Sequence, residues 1–414
     1  MIASLLVATM LICGARWPGV LVAGALFTYQ ASVLSGYPGM TPIYTIIALT
    51  IAVWKARHAL GRLVPSSLDI TFALFLAVHC CSAAYAPSPP EAFAGLLRLG
   101  LAAGSMFLLG RLCALAVPPG RMAVEIAGGM MIFGAAFAGV FLLGSVGSAT
   151  LRLQIDGATA VGTAQPFPLV LTAGFLAMVA ALSQARPALF MISCVATLIC
   201  LHASIVSGTR GIFVALAAGL MMIGWLGARQ IRAWLAAALV ILVVAAAVPM
   251  MPLVGGAEPF RAGLARLLVN FHQSGIMAAD VSGVVRMEQL SMGLTLWADH
   301  PLLGVGLGGY SVLTGRDYPH NIFVEVAAES GAVGLALLSI HLATLAWFLS
   351  RFPGPAARLL LSGLLVACLV HMQFSYSLFM AKPLFLLTGI AASWSGMRRA
   401  AVPPVSGLPR TVFS

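Results

Sequence analysis

The side chains best suited to chemistry lie in three polar runs: Asp299-His-Pro-Leu-Leu-Gly-Val-Gly-Leu-Gly-Gly-Tyr310, Pro319-His-Asn-Ile-Phe-Val-Glu325 and Glu329-Ser-Gly-Ala-Val-Gly334. His320 is the best-placed proton acceptor. Pro319 has no N–H to donate, Asn321 is a good N-cap, and an apolar-rich helix is predicted to follow. A histidine beside a helix start feels the positive end of the helix dipole, which favours neutral imidazole. General-base assistance is worth about 10²–10⁴ in rate. The plain alternative is a histidine that only caps or hydrogen-bonds its loop. Arg210, in Ser207-Gly-Thr-Arg-Gly211, cannot lose its charge and adjoins an apolar helix, so it calls for an anionic partner. Its flanking glycines admit a phosphate close to the backbone. Arg286 is the second such cation. Snorkelling to the interface, or pairing of Arg286 with Asp299 or Glu288, would explain both without a ligand. Arg152, Arg261, Arg266 and Arg316 are further candidates. Glu329 suits a helix–helix hydrogen bond as well as catalysis, and Gly331 and Gly334 suit close helix packing. His79, His202, His341 and His371 fall in or beside apolar helices, where hydrogen bonding inside the bundle is the default.

The elements that must position these groups belong to a membrane. Of the 414 residues 61% are hydrophobic and 8% charged, where a soluble domain carries roughly 25% charged residues. The net charge of +11 comes from basic residues in short loops between apolar runs, which is a topology signal and argues against a nucleic-acid partner. All seven cysteines lie in apolar stretches, and no Cys/His spacing suggests a metal site. The apolar start from Ile2 reads as a membrane anchor.

Apolar stretches fall at about 2–14, 19–34, 42–54, 68–85, 96–117, 123–147, 166–182, 188–206, 211–227, 233–251, 332–350, 357–378 and 383–395. The expected fold is therefore an all-α integral membrane protein of about 12 transmembrane helices, with a partly helical periplasmic loop before the last helices. Three regions follow: a transmembrane bundle over 1–251, a loop over 252–331 carrying the polar motifs, and C-terminal helices with a tail over 332–414. Helix-like apolar spacing over Val284–Asp299 (Met287, Leu290, Leu294, Trp297) predicts a helix along the bilayer surface. Lys55, Arg57, Arg62, Arg111, Arg121, Arg186, Arg229, Arg232, Arg351, Arg358 and the tail arginines Arg398, Arg399 and Arg410 gather on one side with only Asp69 and Glu125 as acids. By the positive-inside rule that side is cytoplasmic and the 252–331 loop is outside.

The run HPLLGVGLGGY…PHNIFVEVAAESGAVG resembles the signature of the bacterial O-antigen ligase and O-antigen polymerase family. The Ser207–Gly211 element and the placement of Arg286 ahead of LWADHPLLGVGLG match as well, so the resemblance covers roughly 204–335. It implies a membrane-embedded, inverting glycosyltransferase at the periplasmic face of the inner membrane, without metal or cofactor. The donor would be a glycan on an undecaprenyl-diphosphate carrier, and the acceptor lipid A-core or another glycan. His320 would be the base, and Arg210 and Arg286 would hold the diphosphate. Asn321, Glu329, Asp299 and Arg152 would support them. The rival class is a polysaccharide or lipid transporter, for which the chain shows no repeated halves.

Overall fold

The computed structural model describes residues 2–35, 37, 39–145, 166–183, 186–207, 209–227, 281–352 and 354–400. Every regular element among them is helical. The first half holds α1 (Ile2–Arg16), α2 (Pro18–Ala25), α3 (Thr28–Ser35), α4 (Met40–Ala56), α5 (Ser67–Ser82), α6 (Pro89–Leu99), α7 (Ser105–Ala116) and α8 (Pro119–Ser145). The second half holds α9 (Phe167–Ser183), α10 (Pro187–Ser207), α11 (Arg210–Gly227), α12 (Val281–Asp299), α13 (Gly309–Thr314), α14 (Ile322–Ser350), α15 (Pro355–Ser375) and α16 (Lys382–Ala400). A π-helical turn over Gly100–Gly104 joins α6 to α7.

Each apolar stretch among the described residues became helix, because a chain without water must satisfy its backbone internally. Five helical segments are long and apolar enough to cross a membrane: Ser67–Tyr85, Pro89–Ala116, Pro119–Leu143, Pro187–Ser207 and Ile322–Ser350. Met40–Ala56, Phe167–Ala181, Arg210–Leu226 and Pro355–His371 are apolar but shorter, so the described residues do not reach the expected 12 spans. The stretch at 19–34 is divided between α2 and α3. The stretch at 233–251, residues 252–280 of the loop, Arg152, Arg261 and Arg266 lie outside the described residues. Helix α14 starts at Ile322, where the Asn321 cap predicts it, ahead of the apolar stretch at 332–350. Hydropathy hides that start because Glu325 and Glu329 interrupt the apolar run.

Helix α7 packs on α16 through glycine: a Cβ on Gly110 would strike the Leu386 backbone, and one on Gly389 would strike the Phe107 backbone. Small residues of this kind let helices approach closely where lipid removes most of the hydrophobic drive. His341 bridges helices, with Thr71 of α5 at 3.0 Å and Thr388 of α16 at 3.1 Å. At the opposite end from the polar motifs, Ser66 and Asp69 form a capping box at the start of α5. Asp69 also pairs with Arg111 of α7, and Glu125 takes Arg121 at 2.7 Å and the Gly19 amide at 2.8 Å.

Candidate active site

The site is built around a break in α14. Gly331 has φ 62° and ψ −161°, so the helical ladder stops there and restarts. Freed backbone groups need partners in a dry setting, and the 301–306 loop supplies them. The amides of Val305 and Gly306 donate to Ala328 and Glu329 carbonyls at 2.8 and 2.9 Å, and Ala332 donates to the Pro301 carbonyl at 2.8 Å. The glycines of the motif make that fit. A Cβ on Gly331 would enter the Leu302–Leu303 backbone, and one on Gly304 (φ 69°) would enter Ala328–Ser330. The glycine run is therefore the lock that seats the loop in the broken helix.

Two carboxylates one helical turn apart on α14 face the same cleft. Glu329 accepts the backbone amides of Gly308 and Tyr310 at the start of α13. Glu325 accepts the Ser377 hydroxyl at 2.9 Å and the Leu378 amide at 2.8 Å. Both are buried. With Glu91, Asp317 and Tyr318 they wall a cleft of about 510 Å³. At the head of α14 the Asn321 side chain accepts from the Phe323 and Val324 amides at 3.0 and 3.2 Å, and donates to Gln373 of α15 at 2.9 Å. Local sequence dictated that cap. The Gln373 contact is tertiary.

His320, one residue before the cap, has φ 59°, the one positive φ outside glycine among the described residues. Holding a side chain in this region costs about 1–3 kcal/mol and is found most often at functional sites. Its ring stacks on Tyr318 at 4.4 Å, and Nδ1 is buried without a hydrogen-bond partner. Burial, then the positive charge of Arg286, lowers its pKa to about 4, against weaker opposing pulls from the Tyr318 carbonyl and Asp317. Burial, then Glu325, raises Tyr318 to about 12, so its phenol stays neutral.

Arg286 is half-buried on α12, close enough for its charge to act on His320 and Tyr318. Arg210 opens α11, whose next residue, Gly211, packs against α15: a Cβ there would lie 3.2 Å from Phe374 and 3.5 Å from His371. Through α15 and its Gln373, Arg210 is thus brought to the same end of the bundle as His320. Asp299 is not. The 13 positions separating it from Arg286 along α12 span about 20 Å, and Asp299 is exposed. Glu288 pairs with Arg316 at 3.6 Å. Sequence reasoning missed Tyr318, Gln373 and Ser377 as neighbours of the site, along with Arg98 and Lys382. The signal for the last was a lone lysine heading an apolar stretch.

An all-helical membrane protein with a polar cleft at one end of its bundle is the class that fold and site define. Residues 195–339 match the family model for O-antigen ligase. The matched span holds Arg210, Arg286, His320 and the broken helix. No curated protein matches the chain.

Proposed function

We propose that this chain transfers a saccharide from an undecaprenyl-diphosphate carrier to an acceptor hydroxyl at the periplasmic face of the inner membrane, as an O-antigen ligase with lipid A-core as acceptor. The observation that carries this reading is His320, held at φ 59° with a buried, unpartnered ring nitrogen beside Arg286. In the reaction the His320 imidazole takes the proton from the acceptor hydroxyl as its oxygen attacks the anomeric carbon. The bond from that carbon to the diphosphate breaks as the new one forms, with inversion. Arg286 and Arg210 receive the negative charge that builds on the leaving diphosphate, where preorganised cations act most strongly. No metal is assigned a role in this scheme.

The charge of Arg286 also couples binding to basicity. With the site empty it depresses His320. A diphosphate docked on Arg286 offsets that charge and returns the imidazole towards its ordinary range, so His320 becomes a competent base when donor is present. For the folded protein the sign is clear. The native pKa lies below that of the unfolded chain, so stability is full above about pH 6.5 and falls as pH drops towards 4, where the native state also binds the proton.

His320→Gln keeps shape and a hydrogen bond but not basicity. In a purified transfer assay it should lose about 10²–10⁴ in rate while still binding the lipid carrier. Near wild-type transfer would make His320 an orienting group and move the base to Glu325 or Glu329, which already face the cleft. The orientation has its own test. A phosphatase fused after Gly315 should be active and one fused after Gly396 silent; the reverse pattern would put His320 in the cytoplasm.

A further inference from the structure

A second chamber adjoins the carboxylate-lined cleft, and its charge has the opposite sign. It has a volume of about 540 Å³ and shares Arg98, Phe379 and Met380 with the cleft as common walls. Lys382 lines it at the head of α16. Protein surrounds this lysine, and it has surface left to open on the chamber. Its hydrogen-bond partner is the Thr28 hydroxyl at 3.2 Å, a neutral group. No carboxylate lines the chamber, and none pairs with Lys382 or Arg98 among the described residues. The remaining wall is mostly apolar, with Leu26, Pro166 and Pro383 beside Tyr29 and Gln30.

An enclosed ammonium without an anion is costly, and intramembrane cations normally face an anionic partner or a substrate path. Two cations against an apolar wall suit a phosphate carried on a hydrocarbon. The cleft next door suits the other part of such a molecule, because Glu325, Glu329, Glu91 and Asp317 accept hydrogen bonds from saccharide hydroxyls. We propose that the Arg98–Lys382 chamber binds the phosphate of a phosphorylated lipid whose saccharide extends into the carboxylate-lined cleft. This adds an anion subsite distinct from Arg210 and Arg286. Only the direction of the saccharide rests on the transferase reading.

The test uses purified full-length chain in nanodiscs of zwitterionic lipid. Two matched pairs are compared for binding: undecaprenyl phosphate against undecaprenol, and a phosphorylated core glycolipid against its dephosphorylated form. The background is Arg210→Ala/Arg286→Ala, so that failure of the diphosphate assignment leaves this result readable. At least one phosphorylated lipid should bind about tenfold more tightly than its twin, the worth of one charge-assisted contact. Lys382→Met and Arg98→Gln should each remove most of that advantage. Lys382→Met replaces an enclosed charge by a side chain of similar length, and Arg98 is exposed, so at least one variant will fold. The pair that responds identifies the source, carrier or acceptor, and either supports the site. A phosphate advantage absent from the double-alanine background, or unchanged in both chamber variants, overturns it. Inorganic phosphate competing as strongly as the lipid would overturn the lipid assignment.

Discussion

The two ends of the helical bundle hold their charges differently. At the Asp69 end each acid has a cation: Asp69 pairs with Arg111, and Glu125 with Arg121. At the His320 end the buried acids take neutral donors instead, Glu325 from Ser377 and Leu378, Glu329 from two backbone amides. Two of the cations there, Lys382 and Arg98, have no carboxylate partner among the described residues. The Asp69–Arg111 pair ties α5 to α7 and the Glu125–Arg121 pair closes within α8, so neither leaves a charge over for a ligand. Carboxylates fixed by amides, with cations left facing cavities, keep both signs available to a substrate. One end closes its charges on itself, and the other leaves charge facing its cavities.

The largest break in this contrast is expected at Gly331→Ala. Its φ of 62° and the Leu302–Leu303 backbone leave no room for a methyl group. Strain plus overpacking should cost roughly 4 kcal/mol, unseat the 301–306 loop and abolish transfer. Thermal unfolding in detergent, read beside transfer, checks it; a stable and active Gly331→Ala protein would show that the broken helix is not needed.

Arg111→Met tests the other end. It leaves Asp69, whose side chain is 19% exposed, without its cation but with the Ser66 donors, and should cost about 2 kcal/mol of stability. Carrier binding and the pH profile of the folded fraction should stay as in the wild type. A change in either would mean the two ends are coupled.

Arg286→Ala sharpens the comparison through ligand binding. Loss of a charge-assisted contact worth about 2 kcal/mol should weaken binding of undecaprenyl diphosphate about thirtyfold. Lys should be a poor replacement, because it lacks the planar fork. The pH profile adds a second readout. Burial and the charge of Arg286 hold donor-free His320 down at about 4, and an NMR titration of Arg286→Ala should find it moved up towards the ordinary imidazole value. An unmoved pKa would leave burial as the whole cause and remove the coupling between donor and base.

How much of this was legible in the chain depends on the range of the interaction. Apolar runs fixed the helices, since a backbone in lipid has no other partner than itself. Asn321 announced its own cap, because the amides it satisfies lie two and three residues away. The basic residues clustered with Asp69 and Glu125 in sequence, and the structure pairs those acids within the same end of the bundle. The motif residues likewise marked where the polar end would be, without showing how it is assembled.

Only the tertiary structure decided the rest. The break at Gly331 exists because a loop some thirty residues upstream fills it, and the hydropathy of α14 carries no trace of that partner. The sequence left open an Arg286–Asp299 pair, yet the 13 positions between them on α12 span about 20 Å, and it is Arg286 whose charge acts on His320. Arg98 and Lys382 are far apart in sequence, and each reads alone as an interfacial charge. They become one chamber because α6 and α16 bring them together, and electrostatic attraction for a ligand depends on that distance in space.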